Sequence, residues 1–193
     1  MDVSRHDRVL DVGCAHKGLK PYVESSGATY KGVDIAAGFK PDYVANAETL
    51  QGVPNVFDWA VMADVLEHLA EPKKALKATL CVSKHMVAIV PNWYRLERFG
   101  SILPRDQYDR HLQMLPPRAW LQMIREAGWR IKQIRGFYYV PSIAFYPFKL
   151  LKRMDTIFLS APFRRLTVPF DRYLSDKPVF KYMGQELVIV ASK

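Results

Sequence analysis

The chain has little cysteine, few acids for its bases, and no long apolar run. Its 193 residues include two cysteines, Cys14 and Cys81, far apart and without His or Cys neighbours at metal-ligand spacing. That excludes a disulfide framework and a zinc site, and fits the reduced thiols of a cytoplasmic protein. No segment reaches the roughly 18 uninterrupted apolar residues that span a bilayer, and the first ten residues are too charged for a secretory leader. Internal repeats and low-complexity tracts are missing as well. Acids number 19 against 28 lysines and arginines, for a net charge of +9. Such a balance bears on solubility and on encounters with anionic partners, not on fold or activity.

What is present is the composition of a folded domain, 49% apolar and 24% charged. The length suffices to bury a core without cross-links. Mostly apolar runs bounded by turn residues predict strands at residues 8–12, 30–34, 43–45, 57–63, 85–90 and 186–191, and a long sixth strand in chain order is expected at 129–139. Helical spacing predicts helices over 18–26, 71–83 and 117–127, the first followed by Gly27 and the last by Gly128. Strands that alternate with helices and are apolar throughout indicate a parallel sheet covered on both faces. The expectation is one Rossmann-like, doubly wound α/β domain over residues 1–193, a seven-stranded α/β/α sandwich. Its sheet is mostly parallel with an antiparallel final strand, and ligands are expected at the carboxyl ends of the strands. Only about eight residues separate strands two and three, too few for a full crossover helix. An aromatic, basic insertion at about 140–185 separates the last two strands.

Residues 9–18, VLDVGCAHKG, form a strand, a tight turn and a helix start. Gly13 lets the backbone turn sharply, and small residues behind it let a ligand approach the main chain. Asp34 ends the next strand in Gly32-Val33-Asp34-Ile35. An acid there can accept hydrogen bonds from both hydroxyls of an adenosine ribose.

These two segments resemble motifs I and II of the class I S-adenosylmethionine-dependent methyltransferases. VANAETL (44–50) is similar to that family's adenine-binding turn, and FDWAVMADVLEHLAEPKKAL (57–76) to its fourth-strand region. The resemblance runs in order and spacing over about residues 8–139. PNWYRLERF (91–99) and RHLQMLPPRAWLQMIREAGW (110–129) are similar to the MetW-like branch. The resemblance implies S-adenosyl-L-methionine as cofactor and a methyltransferase activity. It places Asp11 at the turn and the cofactor's amino group, and Gly13, Cys14 and Ala15 along its methionine portion. Asp34 would hold the ribose, with Ile35 against the adenine face and Asn46 and Ala47 at its edge. Ala63 and Asp64 would flank the sulfonium and the acceptor. The chain departs from the pattern at Ala15 and Lys17, which occupy common glycine positions, and at Asn46, where Asp is common. The helix that often lids the cofactor before the first strand is expected to be short or absent.

Cys14 reads as a space-filler, since no nearby histidine activates it. A general base is needed only for a protonated acceptor. His111, in the polar segment after the fifth strand, is the candidate, with a surface histidine as the alternative; Trp93 and Tyr108 are candidate pocket walls. A small-molecule, sugar or lipid-linked acceptor, methylated at oxygen, is expected. Ala63-Asp64-Val65-Leu66 replaces the Asn/Asp-Pro-Pro-aromatic run of enzymes that methylate base amines, so nucleic acid is an unlikely partner. The alternative is a methyltransferase-like binding or regulatory protein with weak or no turnover. In the insertion, apolar residues 148, 151, 154 and 158 form one helical stripe. It reads as a cap over the sheet end, or as a contact with an anionic membrane surface. The oligomeric state is not legible.

Overall fold

The computed structural model describes residues 3–92, 112–113, 115–137, 168–169, 172–175, 177, 182, 184 and 186–193. Seven strands form one sheet in the order β3-β2-β1-β4-β5-β7-β6. They are β1 Arg8–Val12, β2 Thr29–Asp34, β3 Tyr43–Val44, β4 Phe57–Ala63, β5 Ser83–Pro91, β6 Arg130–Phe137 and β7 Glu186–Ser192. The helices are α1 Lys20–Ser25, α2 Pro72–Val82 and α3 Pro117–Glu126. Strands β1 to β5 pair in parallel. β7 runs antiparallel to both β5 and β6, so it lies inside the sheet and leaves β6 at the edge.

The two faces of the sheet follow from the period-two alternation of strand side chains. Leu10, Val12, Ala60, Met62, Met86, Ala88, Val90, Leu187 and Ile189 point to one face, where Leu76 of α2 and Trp120 and Ile124 of α3 cover them. Val9, Tyr30, Val61 and Val87 point to the other, where Val23 of α1 packs. The larger core is therefore under α2 and α3. Trp129 ties the layers together, its Nε1–H donating to the Leu76 carbonyl at 2.9 Å. At the surface Lys73 of α2 meets Glu126 of α3 at 2.6 Å.

Helix ends follow the sequence signals. After α3 the Gly128 amide donates to the Arg125 carbonyl and the Trp129 amide to the Ile124 carbonyl, the paired bonds of a Schellman cap. The first helix starts two residues later than the spacing suggests. It begins at Lys20 with Pro21 in its first turn, where a missing N–H costs nothing, and the turn before it carries Ala15 and Lys17 at positive φ angles of 38° and 57°. Between β2 and β3 the short link carries only a 3-10 turn at Ala37–Phe39. The stripe at 148–158 and most of the 140–185 insertion lie outside the described residues.

Candidate functional site

The carboxyl ends of β1, β2 and β4 converge on one edge of the sheet, and the loops leaving them carry the strained backbone. Among the described residues, the non-glycine positions with positive φ are Ala15, Lys17, Lys40, Leu50 and Asp64. All five lie in the connections after β1, β2, β3 and β4. Each costs on the order of 1 kcal/mol, so tertiary contacts must hold them.

For residues 13–17 those contacts are explicit. The Gly13 and Cys14 amides both donate to the Val33 carbonyl, at 2.8 and 3.1 Å, and the Lys17 amide donates to the Cys14 carbonyl at 2.6 Å. Asp34 completes the clamp: one carboxylate oxygen accepts from the Ala15 amide and the other from the Ala36 amide, both at 2.9 Å. Each oxygen retains a lone pair for a further donor. The end of β2 thus fixes the loop after β1. Gly13 has φ of 72°, and a Cβ there would sit 2.6 Å from Cγ2 of Val65. Only glycine lets the loop after β4 press this closely on the loop after β1.

Beneath the loop lies a buried polar group that the sequence pattern did not mark. Tyr30 on β2 donates its hydroxyl to Asp11 at 2.7 Å; the two residues are 5% and 6% exposed. Gly32 makes room for this meeting. A Cβ on it would lie 2.7 Å from the Cys14 sulfur and 3.1 Å from the Tyr30 hydroxyl. Burial pushes the Asp11 carboxyl above its usual range, the Tyr30 hydrogen bond opposes this, and the nearby charge of Asp34 adds to it. Burial, with Asp11 and Asp34, also raises the Cys14 thiol. Cys14 therefore stays protonated and fills space under the loop.

Lys17 turns away to the β2–β3 link, its ammonium 4.0 Å from Asp42. Asp42 also accepts from Lys31 and from the Gly32 amide, both at 2.9 Å. Burial works against its ionisation, but the Gly32 amide and Lys31 together keep its carboxyl below the ordinary value. A lysine at this glycine-like position is thus accommodated by an anionic partner outside the loop.

The remaining predicted positions surround the same edge. Ile35 is 70% exposed although apolar. Phe39, just beyond it, contacts the His16 ring edge to face at 4.8 Å, joining the loops after β1 and β2. Asn46 is exposed and Ala47 half-buried, and the Asn46 side-chain oxygen accepts from the Glu48 amide at 2.8 Å. That bond closes an Asx-type turn after β3. Ala63 and Asp64 are exposed at the end of β4. His111, Tyr108 and Trp93 lie outside the described residues. Two residues after His111, the Gln113 amide donates to the Glu67 carbonyl at 2.9 Å, beside the end of β4.

A family model for the methyltransferase domain matches residues 3–134. This chain belongs to that methyltransferase family. Among curated relatives it is 26% identical over 165 residues to a ubiquinone biosynthesis O-methyltransferase of Burkholderia pseudomallei, covering 69% of each chain. It is also 26% identical over 170 residues to the enzyme of that name from Thiobacillus denitrificans, covering 72% of this chain and 71% of the relative. Its fold is that of an S-adenosylmethionine-dependent methyltransferase from Archaeoglobus fulgidus, with a TM-score of 0.62 at 21% identity, covering 97% of this chain and 86% of the other. A Bacillus halodurans structure described as a methyltransferase superposes with a TM-score of 0.63 at 12% identity, covering 100% and 94%.

The protein is an S-adenosylmethionine-dependent methyltransferase, and S-adenosylmethionine is its cofactor. The carboxyl edge of the sheet has features that fit that group. A Cβ on Gly18 or on Gly38 would meet nothing within 4 Å among the described residues, so the described parts of the loops after β1 and β2 leave open space beside them. An exposed apolar side chain, Ile35, and a nearly buried carboxylate with spare lone pairs, Asp34, stand side by side there. Those are the two surfaces an adenosine needs.

Proposed function

We propose that this methyltransferase transfers the methyl group to oxygen of a small-molecule acceptor, with sugars and lipid-linked compounds inside that class. The observation that carries the cofactor half is the Asp34 clamp, which sets a carboxylate beside the rigid loop at residues 13–17. In this reading Asp34 would accept from the ribose hydroxyls, and Ile35 would lie against the adenine face. Asn46 and Ala47 would meet its edge. The backbone of Gly13, Cys14 and Ala15 would line the methionine portion, with Asp11 set toward its amino group. Ala63 and Asp64 would flank the sulfonium and the acceptor.

Bound, S-adenosylmethionine supplies a methyl group already activated on a good leaving group. The protein's task is then to fix the acceptor in line and to exclude water. A hydroxyl acceptor must lose its proton, and His111 is the candidate to take it. Oxygen is favoured by the naming of both relatives as O-methyltransferases and by Ala63-Asp64-Val65-Leu66 at the end of β4, which lacks the motif of amine-directed enzymes.

Methyl-labelled S-adenosylmethionine offered with a diphenol, a hexose and a primary amine tests the acceptor class. Label on a hydroxyl compound supports the proposal, and label on the amine alone contradicts it. His111→Ala should then lower kcat at least about tenfold with cofactor affinity unchanged. An unaltered kcat would remove His111 from the mechanism.

A further inference from the structure

We propose that Tyr30 is a positioning residue for the cofactor: its buried hydroxyl holds and orients the Asp11 carboxylate at the base of the 13–17 loop. The proposal rests on the reading that Asp11 meets the amino group of the cofactor's methionine moiety.

Tyr30 sits two residues before Gly32 on β2, so both side-chain positions face the same side of the sheet as Asp11. The register sets Asp11 opposite Gly32 and Val9 opposite Tyr30. The phenol ring fills the core against Val9, Val23 and Ala28, and its tip reaches along the sheet to the carboxylate at 2.7 Å. A Cβ at Gly32 would sit 2.7 Å from the Cys14 sulfur and 3.1 Å from the hydroxyl, so this glycine makes room for both the Cys14 side chain and the tip of Tyr30.

The bond has an electrostatic consequence. Asp11 is buried, and the titratable groups that bear on it are Tyr30 and Asp34 of β2 and Cys14 of the loop. Asp34 and burial both disfavour the Asp11 anion, while Tyr30 favours it. On β4 the register neighbour of Asp11 is the apolar Val61. Lys17, the cation whose charge reaches Cys14, is itself set beside Asp42. Without the phenol, Asp11 would take up a proton at higher pH and lose its charge for a cationic amino group.

The test is calorimetric titration of the full chain with S-adenosylhomocysteine, for the parent and for Tyr30→Phe, from about pH 5 to about pH 8. At the upper end, where Asp11 is charged in both, the variant should bind a few-fold more weakly at most, the cost of the lost orientation. Below the raised Asp11 value its affinity should fall by about tenfold per pH unit, starting at a higher pH than in the parent. 5′-Methylthioadenosine, which has no amino acid end, should bind parent and variant alike at every pH. A Tyr30→Phe curve that runs parallel to the parent, displaced or not, would overturn the proposal. Asp11→Asn separates the two possible failures. If it binds S-adenosylhomocysteine as the parent does, the reading of Asp11 falls and Tyr30 with it. If it loses affinity while the Tyr30→Phe curve stays parallel, Tyr30 alone falls. Should Tyr30→Phe not fold, the parent carrying fluorotyrosine gives the answer. Its Tyr30 fluorine signal should titrate with Asp11, and a signal indifferent to pH in this range would contradict the coupling.

Discussion

Asp34 clamps two loops with one carboxylate, and in the proposed function the same carboxylate grips the ribose. Asp34→Ala removes the acceptor for the Ala15 and Ala36 amides and, in the proposed function, the grip on the ribose. Cofactor affinity should fall at least about tenfold, since each lost charge-assisted hydrogen bond is worth roughly 1.5–3 kcal/mol. Calorimetry reads this directly, and an unchanged affinity would detach Asp34 from the cofactor. Gly13 and Gly18 make a second contrast. Gly13→Ala forces a Cβ onto Val65 at positive φ, which should cost about 1–3 kcal/mol in thermal unfolding. Gly18→Ala meets nothing within 4 Å and should change stability by less than about 0.5 kcal/mol. Asp11 illustrates the cost of such a site. Its folded carboxyl is raised, chiefly by burial, so the native state binds the extra proton. Stability therefore declines as pH rises through the raised value. Asp11→Asn should melt higher than the parent at pH 7, and the gain should vanish below the ordinary carboxylate range.

At the scale of elements, the inner strands were legible as largely apolar runs bounded by turn residues, and β1 and β4 match their expected bounds. The start of α1 is marked in the sequence by Pro21 in its first turn, whereas the positive φ of Ala15 and Lys17 before it was not legible, because contacts with β2 hold that loop. The position of β7 between β5 and β6 is likewise a pairing choice that alternation cannot express. Of the site, Asp34 and Gly13 could be read from a motif, whereas Tyr30 and Asp42 could not. In strand sequence a tyrosine reads as core, and its partner Asp11 lies nineteen residues away on the neighbouring strand. At the other end of the sheet Asp58 joins three strands, accepting from Lys84 of β5 and from the Arg8 amide of β1. The Lys84 bond, then the Arg8 amide, lower its carboxyl. Its stabilisation is present above the unfolded value and is lost as pH falls through the folded one. Asp58→Asn should therefore cost about 1 kcal/mol at pH 7. The difference from the parent should close in acid, as followed by denaturant unfolding.

For the whole molecule, the basic charge of +9 bears on how it meets other molecules, while in the proposed function the sheet's carboxyl edge sets what it does. No helix among the described residues is long and apolar enough to cross a membrane. The methyltransferase loops are held by contacts between β1, β2 and β4 in a strained arrangement, so a ligand bound across them should stabilise the entire domain. At a hundredfold excess over Kd the linkage amounts to about 2.7 kcal/mol. For a chain of this size that is a Tm rise of roughly 5–11 °C. The most direct test of the account is calorimetric titration of the full chain with S-adenosylmethionine and with S-adenosylhomocysteine, repeated on Asp34→Ala. The account predicts one site for each ligand in the parent and a loss of at least about tenfold in the variant. No heat of binding for either ligand in the parent would contradict it.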